Sequence, residues 1–121
     1  MGQLDVVQDI DGGAVVVRVR GEVDSSSVDT LVAALDVALR AAAGFPVPTV
    51  VVELRDVTYF GSAGLNAVLG CHERGVADGI AVRVVATNAE VIRPIQVTKL
   101  DTVIRPYPSI GDALAADDGQ P

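Results

Sequence analysis

Apolar positions along this chain change their period several times, and each change marks a new element. Residues 4–10 and 14–20 alternate as strands do, and Asp11, Gly12 and Gly13 between them supply a hairpin turn. In the second strand Val15, Val17 and Val19 share one face while Val16, Arg18 and Arg20 share the other, which predicts one packed and one wetter face. Gly21, Glu22, Val23 and Asp24 then end the strand. From about residue 28 to 43 the spacing turns helical, with Val28, Leu31, Val32, Leu35, Ala38 and Leu39 in one stripe. Ser26 is placed to cap this helix, with Asp29 three residues on, and Gly44, Pro46 and Pro48 stop it.

Residues 49–54 are apolar for most of their length, as in a central strand. A connection of about seven residues leads to Ser62, where helical spacing resumes to about residue 75 and puts Leu65, Val68, Leu69 and His72 on one face. Gly75 or Gly79 terminates it. Residues 80–86 predict another strand. Asn88 is placed to cap a short helix that starts near Ala89 and contains Pro94. Residues 100–104 predict a last short strand. Ser109 caps a final helix with Asp112 as its acid and Ile110, Ala113 and Leu114 on one side. Residues 117–121, Asp117 and Asp118 among them, should fray into solvent. Strand–helix alternation after a hairpin requires right-handed crossovers, so the expected fold is an α/β sandwich. It has a predominantly parallel central sheet, an N-terminal antiparallel hairpin strand and about four helices. With no repeat and no long linker, residues 1–121 are expected to form a single domain with a core of about 4–116.

Composition agrees with a sheet-rich core: 23 of the 121 residues are valine. The net charge of −7 and the lack of a basic run exclude nucleic acid and anionic membrane as natural partners, since both need clustered Lys or Arg. An acidic surface suits a basic patch on a protein partner. One cysteine cannot form an intrachain disulfide, and the first residues lack the basic start and apolar stretch of a signal peptide. Gly2 invites N-myristoylation, but Val6 stands where Ser or Thr is required. No segment is apolar for long enough to span a membrane. A soluble cytoplasmic protein, monomeric when free, is expected.

Enzyme motifs are missing. No glycine-rich phosphate loop or dinucleotide fingerprint occurs, and Phe60 stands where a hydrolase elbow around Ser62 needs glycine. His72 lies on the apolar helix face and is read as a packed or rim residue, and Cys71 as a small helix-flank residue. Adjacent, they point about 100° apart and make no metal site, so neither metal nor cofactor is expected. The informative stretch is Tyr59, Phe60, Gly61, Ser62, Ala63, Gly64, Leu65 and Asn66, at a loop-to-helix start. Ser62 there can cap the helix by accepting a backbone N–H. The same place suits a phosphoserine, whose oxygens meet free N–H groups and the positive end of the helix dipole, while Gly61, Ala63 and Gly64 leave the hydroxyl accessible.

Two blocks give the chain a family likeness: residues 19–24, ending in Gly21, Glu22, Val23 and Asp24, and residues 57–65 around Ser62. With Arg93, Pro94 and Ile95 and the stretch from Leu100 to Leu114, the chain resembles the STAS family over about residues 4–116, specifically the bacterial anti-sigma factor antagonists. The resemblance implies partner switching. The unphosphorylated antagonist binds an anti-sigma factor that is also an ATP-dependent serine kinase and so frees the sigma factor. Phosphorylation of one serine ends that binding, and a serine phosphatase reverses it. Ser62 falls at the phosphoacceptor position, Asp24 at an acidic position near the acceptor loop, and Gly64 and Leu65 at the glycine–leucine pair that opens the helix. Tyr59, Phe60, Gly61, Ala63 and Asn66 complete the implied loop and partner interface. Three positions depart from the family pattern: Gly61 replaces a frequent Asp, Ala63 a Ser or Thr, and Asn66 a Gly. The alternative is a non-switching STAS subunit that scaffolds a larger signalling or transport assembly.

Overall fold

The computed structural model of the chain describes residues 3–116. Strand β1 (Leu4–Asp11) turns at Gly12 and Gly13 into β2 (Ala14–Val23). Both glycines have positive φ, +57° and +81°, as a tight hairpin with right-twisted strands demands. Helix α1 (Val28–Ala42), strand β3 (Thr49–Phe60), helix α2 (Ser62–Asp78), strand β4 (Ala81–Val85), helix α3 (Ala89–Val97) and helix α4 (Ile110–Ala115) follow. The sheet order is β1-β2-β3-β4, with β1 antiparallel to β2 and the other two pairings parallel. This is the expected mixed α/β sandwich.

The main core lies on one sheet face. Val15, Val17, Val19, Val50, Val52 and Leu54 pack there with Leu31 and Leu35 of α1, Leu65 and Val68 of α2, and Val91 and Ile95 of α3. The opposite face is divided. At one end Ala14, Val16, Val51 and Val85 are buried beneath Ala113, with Tyr107, Ile110 and Leu114 around them. Val16 is therefore wholly buried instead of wet, because α4 folds back over its end of the strand. Arg18 and Arg20, farther along β2, keep the polar character that the alternation predicts.

Three further expectations are corrected. Strand β2 does not end at Arg20; it continues to Val23 through register shifts beside Arg20 and Gly21. Gly21 has φ +112°, and a Cβ there would stand 2.0 Å from the Gln3 carbonyl oxygen, so only glycine fits. The connection expected before Ser62 is strand as well: β3 runs to Phe60, paired with the prolonged β2 at Arg20–Asp56, Gly21–Val57, Glu22–Tyr59 and Val23–Phe60. Residues 100–104 are not a strand. Lys99 at φ +61° kinks the chain into a 3₁₀ turn, Leu100–Thr102, and Ile104 drops into the core. The sheet edge is extended by Tyr107, which donates to Val84 O at 2.8 Å and accepts from Ala86 N at 3.0 Å.

Caps follow sequence only in part. Ser109 Oγ accepts from Asp112 N at 3.0 Å and donates to Asp112 Oδ2 at 2.9 Å, as expected. At α1 the N-cap position belongs to Ser27, not Ser26. Asn88 does precede α3, but its amide donates to Leu54 O and Val57 O of β3, at 3.0 and 2.7 Å, instead of capping. Helix α2 runs past Gly75 to Asp78 before Gly79 ends it. The expected fraying of residues 117–121 and the reading of Gly2 fall outside the described residues.

Candidate functional site

The C-terminal ends of β2 and β3 lie side by side, and each feeds a helix. Val23 pairs with Phe60, and one residue later Gly61 N–H donates to Val23 O at 3.1 Å. Asp24, which leads into α1, and Ser62, which opens α2, therefore emerge from the same end of the sheet. Open α/β sheets present their ligand-facing residues in this region, beyond the carboxyl ends of parallel strands.

Asp24 organises its own turn. Its Oδ1 accepts from Ser26 Oγ at 2.6 Å, Ser26 N at 2.9 Å and Ser27 N at 3.1 Å. Ser27 Oγ gives its proton to Glu22 O at 2.7 Å and accepts from Asp24 N at 3.0 Å, which leaves its 3.3 Å approach to Asp24 Oδ1 the weaker contact. The Ser26 hydroxyl first, and then the Ser26 N–H, hold the Asp24 carboxyl below its ordinary range. The carboxylate is thus ionised and fixed, with Oδ1 committed to the turn.

Ser62 is the first residue of α2, and the N-cap is Gly61. The capping role open to Ser62 in the sequence is consequently taken by a residue with no side chain. Ser62 is exposed, and among the described residues nothing hydrogen-bonds its hydroxyl. No acidic residue stands in the first turn of α2. The helix thus offers its first N–H groups and the positive end of its dipole, with no carboxylate of its own beside them.

The surrounding residues divide by burial. Tyr59 is 52% exposed and Asn66 is exposed, with Ala63 between exposed and buried. Phe60 and Leu65, only 4% and 5% exposed, and the buried Gly64 lie beneath the loop, and burial makes Phe60 a core residue. A Cβ on Gly64 would stand 2.7 Å from Val23 Cγ1 and 2.9 Å from Phe60 Cδ1, so this glycine lets α2 settle onto the strand ends. Sequence reasoning missed the placement of Tyr59. A Cβ on Gly61 would lie 3.0 Å from Tyr59 Oη and 3.1 Å from Cε2, so the phenol fills the space of the missing side chain. The available signal was the two-residue spacing: residues 59 and 61 of an extended segment face the same way.

The remaining candidates stand apart. His72 lies ten residues along α2 from Ser62, about 15 Å at 1.5 Å per residue, so the two cannot form a nucleophile–base pair. Cys71 is not on the helix flank but in the core, 1% exposed, and burial pushes its thiol up to about 11. Among the described residues no three His, Cys, Asp or Glu side chains gather where a metal could bind, and no helix is long and apolar enough to cross a membrane.

Comparison with known proteins follows the same lines. A family model, STAS domain, matches residues 5–113. No curated protein sequence matches. The crystal structure of an anti-sigma factor antagonist from Mycobacterium paratuberculosis is 28% identical, with a TM-score of 0.82 over 93% of this chain and 92% of that one. The antagonist SpoIIAA in its unphosphorylated form is 20% identical, with a TM-score of 0.68 over 94% and 93% of the two chains. The Bacillus cell fate determinant SpoIIAA in its phosphorylated form is 19% identical, with a TM-score of 0.63 over 94% and 96%. The two SpoIIAA structures are likenesses of fold.

Proposed function

The chain belongs to the STAS domain family, and from that premise we propose that it is an anti-sigma factor antagonist switched by phosphorylation of Ser62. Unmodified, it binds an anti-sigma factor serine kinase through Ser62, the exposed start of α2 and the rim near Asp24, and the sigma factor is released. The kinase transfers the γ-phosphoryl group of ATP to Ser62 Oγ; ADP leaves and the hydroxyl proton passes to solvent or a kinase base. A serine phosphatase restores the hydroxyl with water and releases inorganic phosphate. The protein is then a substrate of enzymes and not one itself, and it acts in the cytoplasm as a single STAS domain, monomeric when free. Nucleic acid and membrane take no part.

One observation carries this reading: an exposed serine hydroxyl without a hydrogen-bond partner among the described residues, on the first residue of a helix whose N-cap is glycine and whose first turn holds no acid. Such a helix start accepts a phosphate where it forms, so the domain keeps its shape. The effect then falls on the complex, where about −1.5 to −2 added charges must be desolvated beside a partner. Titration of unmodified and Ser62-phosphorylated protein against the purified kinase tests it. Tight binding of the first and weak binding of the second is expected; equal affinities would favour the scaffold subunit instead.

A further inference from the structure

Resting on Ser62 as acceptor, we propose that Tyr59 is the positioning residue for its phosphate. The phenol hydroxyl donates a hydrogen bond to a phosphoryl oxygen on Ser62 and holds the dianion against the first turn of α2.

The placement of the ring is specific. The side chain of an N-cap residue is the group that reaches the N–H donors of a helix's first turn. At α2 that residue is Gly61, and its missing Cβ position lies 3.0 Å from Tyr59 Oη, 3.1 Å from Cε2 and 3.4 Å from Cζ. Tyr59 Oη therefore borders the space from which a capping oxygen would work. The backbone does not require glycine: Gly61 has φ −86° and ψ −175°, which any residue adopts. A side chain at 61 would instead require the phenol to give way by a few tenths of an ångström.

Two hydroxyls three positions apart in sequence, on either side of the Phe60–Gly61 pair, are left unengaged. Among the described residues no hydrogen bond is made by the side chain of Tyr59 or of Ser62, and both residues are exposed. A neutral donor at this point favours a dianion, whereas an N-cap carboxylate would occupy the same N–H groups and repel it. Gly61 and Tyr59 thus keep the helix start open to an anion and supply one more donor to it. Serine carries the phosphate, and tyrosine fixes its orientation.

The test uses the full chain with phosphoserine installed at position 62 during translation, so it needs no kinase. The second ionisation of the phosphate is followed by ³¹P NMR in otherwise wild-type protein and in Tyr59→Phe, which keeps the ring and loses the donor. A donor to the dianion lowers that pKa, so Tyr59→Phe should raise it by about half a unit. Gly61→Ala, which displaces the ring, should raise it similarly in the wild-type background and add nothing in the Tyr59→Phe background. Equal phosphate pKa values in wild type and Tyr59→Phe would overturn the role of Tyr59, as would a Gly61→Ala effect of the same size in both backgrounds. Either result leaves Ser62 standing as acceptor, because the acceptor is judged by peptide mapping and the switch by partner affinity, both separate measurements.

Discussion

Gly61 donates its N–H to the carbonyl of Val23 across 3.1 Å, and this bond closes the sheet at the point where both chains leave it. One residue beyond Val23 stands Asp24, and one beyond Gly61 stands Ser62. The bond therefore sets the relative position of two turns whose residues are 38 apart in sequence. Disturbing either strand end moves the candidate site as a unit.

Phosphorylation at Ser62 should weaken binding to the kinase partner by roughly 150-fold, the equivalent of about 3 kcal/mol. Ser62→Asp, with one charge and two acceptor oxygens, should reproduce part of that loss, and Ser62→Ala should stay bound and take up no phosphate. Calorimetric titration of the forms checks the order. Peptide mapping that found the phosphate on Ser25, Ser26, Ser27 or Ser109 would remove Ser62 from the scheme.

Asp24→Asn should slow phosphorylation or weaken partner binding without unfolding the domain, as measured by kinase initial rates and by affinity. It should also alter acid stability. The carboxyl is lowered by its Ser26 contacts, so the stabilisation is present above the unfolded value of about 3.9 and is lost as pH falls through the folded pKa. Urea midpoints followed from pH 5 downward should fall less steeply in Asp24→Asn than in wild type.

Cys71 should resist alkylation in the folded protein at pH 8 and react fully once unfolded, as mass spectrometry of iodoacetamide-treated samples will report. Its thiol, at about 11 against an ordinary 9.0, binds a proton in the folded state that the unfolded chain has already released. Stability should therefore decline between pH 9 and about 11, and Cys71→Ala should flatten that decline.

Gly21→Ala should be strongly destabilising, by about 2–4 kcal/mol, since it combines a strained φ with a clash against backbone oxygen. Gly64→Ala should cost about 1–3 kcal/mol through overpacking against Val23 and Phe60. Chemical denaturation measures both. A Gly21→Ala loss smaller than that of Gly64→Ala would show that β1 shifts easily away from Gly21.

The fold was legible where a periodic apolar pattern coincided with a turn or cap. The Gly12–Gly13 hairpin, the stripe from Val28 to Leu39 and the Ser109–Asp112 cap are each local, and local chemistry decides them. The second half of β3 was not legible, because Arg55, Asp56 and Thr58 look like loop and become strand only through the pairing of this segment with β2 from Arg20 to Val23. Leu100, Val103 and Ile104 carry strand-like side chains, yet the left-handed Lys99 turns them into 3₁₀ geometry. At the site Ser62 was legible from small neighbours and a helix start. That Phe60 is buried while Tyr59 lies over Gly61 depends on which side of an unexpected strand each residue takes.

The glycine at the head of α2 has a consequence for the lifetime of the protein. A helix without a capping side chain or an acid in its first turn gains when a negative group arrives there, typically by about 0.3–1 kcal/mol and by up to about 2 in favourable settings. Phosphorylation of Ser62, which is proposed to end the complex, should thus make the free domain harder to melt. In the proposed cycle the phosphorylated molecules would then form the more durable pool, less often unfolded and less often open to proteolysis, and a phosphatase would draw active antagonist from it.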